Sequence, residues 1–138
     1  MAAKRKKKKD YTYAVGRRKE SSARVRLYKG KGENIVNDRP MEEYFPGEVN
    51  KVKYELPFKL TDTLGKYYVT ARVNGGGKKG QLGAVVHGIA RCFSKENEEK
   101  FRAPLKKEGL LTRDARVKER RKVGTGGKAR RQKQSPKR

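Results

Sequence analysis

Gly75, Gly77 and Gly80 fall on the spacing G-x-G-x-x-G, between an alternating apolar stretch and an amphipathic one. In a dinucleotide-binding fold such glycines let the backbone approach a pyrophosphate at a helix N-terminus. Two features argue against that chemistry here. The acidic residue that would hold a ribose hydroxyl ends the next strand in such a fold, whereas Glu96, Glu98 and Glu99 lie in or beside helical sequence, and the remaining chain is too short for a doubly wound sheet. A Walker-type loop fits less well, because Gln81 stands where lysine is required. The glycines still permit close backbone approach, and Lys78 and Lys79 sit beside the unpaired N–H groups of a helix start. Two readings remain open for them: a phosphate held nearby, or a plain strand-to-helix turn with solvated lysines.

The other reactive residue types predict no catalysis. His87 is the one histidine, with no Ser or Cys nucleophile and no Asp placed by the sequence to orient it, so it reads as an RNA contact or a helix-face packing residue. Cys92 is the one cysteine, which rules out an intramolecular disulfide and argues against a zinc site. It lies beside an apolar stripe and reads as a small buried hydrophobe. Glu42-Glu43 and Glu98-Glu99 are adjacent in sequence, hence point apart on a helix. We therefore expect no catalytic residues, no metal and no cofactor.

Basic clusters carry more information. Arg17, Arg18 and Lys19 with Arg24 and Arg26, then Lys78 and Lys79, then the segment from Thr112 onward, could all face one polyanion. Arginine dominates several of them, as bidentate phosphate contacts favour. Tyr11, Tyr13, Tyr28 and Tyr68 interleave with these clusters, either as sheet packing or as platforms for unpaired bases. The net charge of +24 divides into +6 for residues 1–9, +8 for 10–111 and +10 for 112–138. That last segment holds twelve Lys or Arg against two acids, and its apolar residues are Val117, Val123 and two alanines. It cannot offset the entropy of ordering by burial, so it is either disordered or folded onto a polyanion.

The elements that position these groups follow from periodicity. Tyr11, Tyr13 and Val15 alternate with small or polar residues up to Arg17, which predicts a strand. A second strand places Ala23, Val25 and Leu27 on one face and Arg24, Arg26 and Tyr28 on the other. After a turn at 29–32, residues 34–37 form a short third strand. Pro40 opens a short helix through Phe45, and a second amphipathic segment from Val49 to Leu56 is closed by Pro57. The clearest strand runs from Tyr67 to Val73, with Arg72 on its polar face. In the best helix Leu82, Val85, Val86, Ile89 and Phe93 make an apolar stripe, opposite Gly80, Ala84, His87 and Arg91. A polar helix from Glu96 to about Lys107 stops at Gly109.

The order of these elements predicts an α+β fold: a small mixed sheet with helices packed on one face in a split βαβ arrangement, followed by an extended basic tail. The expected division is a basic N-terminal arm at 1–10, an RNA-binding domain at 11–111 and a tail at 112–138. No stretch approaches transmembrane length, and Asp10-Tyr11 stands where a signal peptide would be hydrophobic. A reducing, cytosol-like compartment fits the single cysteine.

Three ordered motifs resemble one family. They are residues 13–25 (Tyr-Ala-Val-Gly-Arg-Arg-Lys-Glu-Ser-Ser-Ala-Arg-Val), then residues 75–81 with Ala84, His87-Gly88-Ile89 and Arg91, then residues 111–116 with Glu119, Arg120, Arg121 and Lys122. Together they are similar to the ninth small-subunit ribosomal protein of the bacterial and organellar type. The resemblance implies a ribosomal S-five domain-two-like fold and a non-enzymatic place in the small-subunit head. Its implied partners are 16S-type rRNA, neighbouring head proteins and, through the tail, the peptidyl-site tRNA. It implies a cytoplasmic or organellar ribosome, no membrane and no homo-oligomer. Expected rRNA contacts are Arg17, Arg18, Lys19, Arg24, Arg26, Lys78, Lys79, His87, Arg91, Arg113, Arg116, Arg120, Arg121, Lys122, Lys128, Arg130 and Arg131. Lys137 and Arg138 would approach the tRNA. The chain departs from the family's usual Gln-Phe-Ser-Lys-Arg ending by carrying Ser135-Pro136 before those two residues, and Thr125-Gly126-Gly127 is one residue longer than usual. The competing readings are a histone-like nucleic-acid compaction protein, which explains the charge but not the ordered motifs, and a small phosphate-handling enzyme built on Gly75 to Gly80.

Overall fold

Alternating apolar residues on β1 (Tyr11–Arg18), β2 (Ser21–Lys29) and β5 (Tyr67–Asn74) form three antiparallel neighbours of one sheet. Two short strands, β3 (Ile35–Val36) and β4 (Arg39–Pro40), complete the order β1-β2-β5-β3-β4, with β3 parallel to β5. The structure is a computed structural model and describes residues 10–130. Its remaining elements are α1 (Met41–Tyr44), α2 (Glu48–Leu60), α3 (Lys78–Glu96) and α4 (Glu98–Lys107). The architecture is α+β, as the element order predicts.

One face of the sheet carries the core. Ala14, Ala23, Val25, Val69 and Ala71 are buried there beneath α3, whose Val85, Ile89 and Phe93 are fully buried. Phe93 anchors an aromatic cluster, with Phe58 of α2 at 5.3 Å, Tyr67 at 5.5 Å and Phe101 of α4 at 5.5 Å between ring centroids. Each large side chain buried in this way contributes about 1.5–3 kcal/mol by removal from water. The short β3 is held to β5 by flanking asparagines. The Asn34 side chain accepts from the Val69 N–H, and that of Asn37 both accepts from the Val73 N–H and donates to its carbonyl.

Several boundaries differ from the periodicity reading. On β1 the side facing the helix holds Ala14 and Gly16, not the larger Tyr11, Tyr13 and Val15. The reason is the close seating of α3: a Cβ added to Gly16 would overlap the Ala84 carbonyl oxygen and the Gly88 nitrogen and lie 2.8 Å from Gly88 Cα. For the same reason Gly80 and Ala84 are buried in the contact with the sheet, so the small-residue side of α3 is a second packing face. Pro57 does not close α2. The helix runs through it to Leu60 and ends where the Thr61 N–H and hydroxyl both donate to the Pro57 carbonyl. Pro40 lies just outside α1, in β4, and α3 keeps Glu96. Asn97 separates α3 from α4 and caps the latter, its side chain accepting from the Lys100 N–H. Gly109, at φ 73°, follows α4 as expected, and 113–130 contain no helix or strand.

Candidate nucleic-acid interface

At the β1–β2 hairpin end the chain forms a cleft of about 520 Å³ between α2, α3 and the segment after α4. Its floor includes Leu56, Leu82 and Val86, and its rim carries Arg17, Arg18, Lys19, Lys53 and Lys79. Asp114 is the one acid in the lining, and it is already engaged. Its carboxylate accepts from Arg116 Nη2 at 2.7 Å and from Arg116 Nε at 3.0 Å, and it pairs with Arg18 Nη2 at 3.5 Å. Those hydrogen bonds from Arg116 hold the Asp114 carboxyl well below the usual carboxylate range. The cleft therefore presents positive charge over an apolar floor.

Local packing aims these cations. Lys19 occupies the two-residue hairpin turn at φ 52°, and Arg18 lies across Gly83, where a Cβ would overlap its Cδ. The glycine run before α3 packs on the same hairpin. Ser21, 2% exposed, donates from Oγ to the Gly75 carbonyl, and a Cβ on Gly76 would overlap that hydroxyl. Gly75 and Gly76 both have positive φ, at 77° and 65°. Of the G-x-G-x-x-G glycines, Gly75 and Gly80 thus serve the tight turn and hairpin packing, while Gly77 sits at the N-cap of α3 with open space around it. Lys78 turns away from the cleft, its ammonium 3.3 Å from the centre of the Tyr44 ring, while Lys79 lines it.

His87, Arg91 and Lys95 face the outer edge of β1. Nδ1 of His87 accepts from the Arg17 N–H at 3.2 Å, leaving Nε2 to donate to the Leu111 carbonyl at 3.3 Å. Arg91 donates to the Val15 carbonyl at 2.5 Å, and Lys95 to that of Tyr13 at 3.0 Å. Helix residues four apart rise ~6 Å and strand residues two apart ~6.8 Å, so an i, i+4, i+8 row can follow alternate backbone groups of a strand. Burial lowers the His87 pKa, opposed by the hydrogen bond to Leu111 and reinforced by Arg91 and Arg113. His87 ties β1 and α3 to the root of the C-terminal segment.

Arg24 and Arg26 lie on the other face of the sheet and do not join the cleft. Arg24 stands directly across from Arg72, and Arg26 across from Tyr13 and Thr70. On either side of Asp114, Arg113, Arg120, Arg121 and Lys122 are exposed. Arg130 makes a bidentate pair with Glu119, its Nη2 donating at 2.6 Å and its Nε at 2.9 Å. Within the loop so closed, Thr125 Oγ1 donates to the carbonyls of Lys122 and Lys128. The expected contacts Arg131, Lys137 and Arg138 lie outside the described residues.

Apart from Lys78, which rests on Tyr44, the expected residues among those described divide between a cleft, a strand edge, an open sheet face and the C-terminal segment. Lys53 and Arg72 were missed as members of these surfaces. Arg72 was legible on the polar face of its strand, but its pairing with Arg24 depends on sheet register. Cys92 is fully buried, and desolvation pushes its thiol pKa up to about 12. Among the described residues there is no cluster of three potential metal ligands, and no helix is long and apolar enough to cross a membrane.

Comparison with known proteins gives concordant matches. Residues 16–138 match the family described as Ribosomal protein S9/S16. The chain is also 50% identical over 119 residues to the small ribosomal subunit protein uS9 of Maridesulfovibrio salexigens, an alignment covering 86% of this chain and 91% of that protein.

Proposed function

The chain belongs to the ribosomal protein S9/S16 family, and from that membership we propose a structural, non-enzymatic role in the small ribosomal subunit, where it binds 16S-type rRNA in the subunit head and directs its C-terminal segment to the peptidyl-site tRNA. The observation that carries the RNA-binding reading is the cleft, in which Arg17, Arg18, Lys19, Lys53 and Lys79 converge around a single, already neutralised carboxylate. Such a rim neutralises phosphates and releases their counterions, so binding weakens steeply with salt. The apolar floor admits a ribose or an unstacked base between the phosphate contacts.

The second part of the reading concerns the segment from Thr112. Its root is tied to the domain through Leu111 and Asp114, and its last two residues, Lys137 and Arg138, supply the charges expected at the tRNA backbone. We expect one copy of the chain per subunit, beside neighbouring head proteins. Deleting Lys137 and Arg138 should leave subunit assembly intact and speed the loss of peptidyl-site tRNA from purified subunits; an unchanged tRNA off-rate refutes the tRNA contact. A compaction protein would instead sediment with DNA, so DNase-resistant co-sedimentation with small subunits separates the two readings.

A further inference from the structure

We infer that the open face of the sheet holds a second RNA-backbone site, separate from the cleft, which seats a phosphodiester group between Arg24 and Arg72 with Arg26 beside them. The inference rests on the RNA-binding reading above and adds a surface to it. Arg24 and Arg72 are direct cross-strand partners on β2 and β5, and both are exposed. Like charges placed directly opposite one another destabilise a sheet, so the free protein carries a cost that a bound anion removes. The neighbouring acid compensates weakly: Asp38 meets Arg72 at 3.5 Å, with the two side chains 80% and 73% exposed. An incoming phosphate competes readily with so exposed a pair.

The shape of the surface agrees. The arginines border a shallow depression of about 240 Å³ floored by Ile35, Thr70 and Ala71. It offers no deep apolar socket for a protein side chain and suits a phosphate with its sugar. Past the Arg26 and Thr70 row, Tyr28 and Tyr68 stack at 5.1 Å and 9°, and Arg26 lies over the Tyr11 ring at 5.0 Å. The Tyr11 ring positions Arg26, and a guanidinium so held is suited to a bidentate phosphate contact. The helices cover the opposite face of the sheet, so this site and the cleft can engage different stretches of RNA together.

The test uses the full-length chain with Arg24→Gln and Arg72→Gln combined, and 16S-type rRNA as the probe. Losing the one phosphate that the two arginines share should lower the slope of log affinity against log salt by about 0.7–0.9, so that a fourfold rise in salt costs the variant roughly 2.6- to 3.5-fold less affinity than the parent. Its melting temperature should be equal or higher, because the repulsive pair is gone. An unchanged slope, or a lower melting temperature, overturns the inference. In reconstituted small subunits, benzoylphenylalanine at Thr70 should cross-link to RNA; cross-linking to protein alone overturns it. A parent chain that fails to enter small subunits sinks the ribosomal reading itself, whereas a parent that enters normally beside a silent double variant sinks this site alone.

Discussion

The contact between β1 and α3 leaves Gly16 the least room for a side chain of any described glycine, and Gly16→Ala tests that contact directly. The added methyl would overlap the Ala84 carbonyl oxygen and the Gly88 nitrogen, both backbone atoms of α3, so no rotamer change relieves it. The strand and helix must separate instead. Overpacking typically costs ~1–3 kcal/mol, and a clash of backbone against backbone belongs at the top of that range. For a domain of about 100 residues, ~3 kcal/mol corresponds to a fall of ~12–24 °C in melting temperature. Circular dichroism melts of the free chain give the measurement. Gly83→Ala is the contrast: it replaces a helical glycine, gaining ~0.5–1 kcal/mol of helix propensity, and meets only the flexible end of Arg18. It should melt near the parent temperature or above it, yet weaken RNA binding by dislodging Arg18 from the cleft. A Gly16→Ala melt within ~3 °C of the parent refutes the close-packing argument.

Other expectations follow from single groups. Burial holds the His87 pKa below its unfolded value, so the unfolded chain takes up a proton that the folded chain resists. The associated stability is complete above the unfolded pKa of ~6.5 and declines as pH falls toward the folded one. Urea midpoints at pH 7.5 and 5.5 should converge in His87→Gln; a pH dependence equal to the parent's excludes this role. Cys92, with its pKa pushed up to about 12 by burial, should resist thiol reagents at pH 8 until denaturant is added, and rapid labelling of the native chain contradicts its placement. Asp114→Asn removes the charge that Arg18 and Arg116 share. Proteolysis after Arg113 or Arg116 should quicken, and an unaltered cleavage pattern counts against a tied root.

Most elements were legible because their periodicity coincides with burial. Val25 and Leu27 on β2, and Val85, Ile89 and Phe93 on α3, are where alternation and the three-four spacing put them. Reading failed where small residues carry the packing. Gly16, Gly80 and Ala84 give no hydrophobic signal, yet they set how near α3 comes to β1. Pro57 misled for a related reason: its carbonyl and its buried ring serve the helix end, although its missing N–H suggested a stop. For the site, residue type was informative and direction was not. Arg18 and Arg24 look alike in sequence, but six residues of strand and a hairpin place one in the cleft and the other on the far face. The i, i+4, i+8 row at His87, Arg91 and Lys95 was visible in part as a polar helix side, while its target, the edge of β1, depends on tertiary packing.

The pair between Glu119 and Arg130 also sets a length. While it is closed, the eleven residue steps between them are folded into a loop and do not contribute to span. Opening it releases at most roughly 36–40 Å of contour. Both partners are largely exposed, at 50% and 83%, and exposed pairs are readily exchanged for other charges. A phosphate that captures Arg130 would therefore also pay out slack. The segment can serve as a tether whose working length is set by the RNA it meets, short on the free chain and long once its arginine has found another anion.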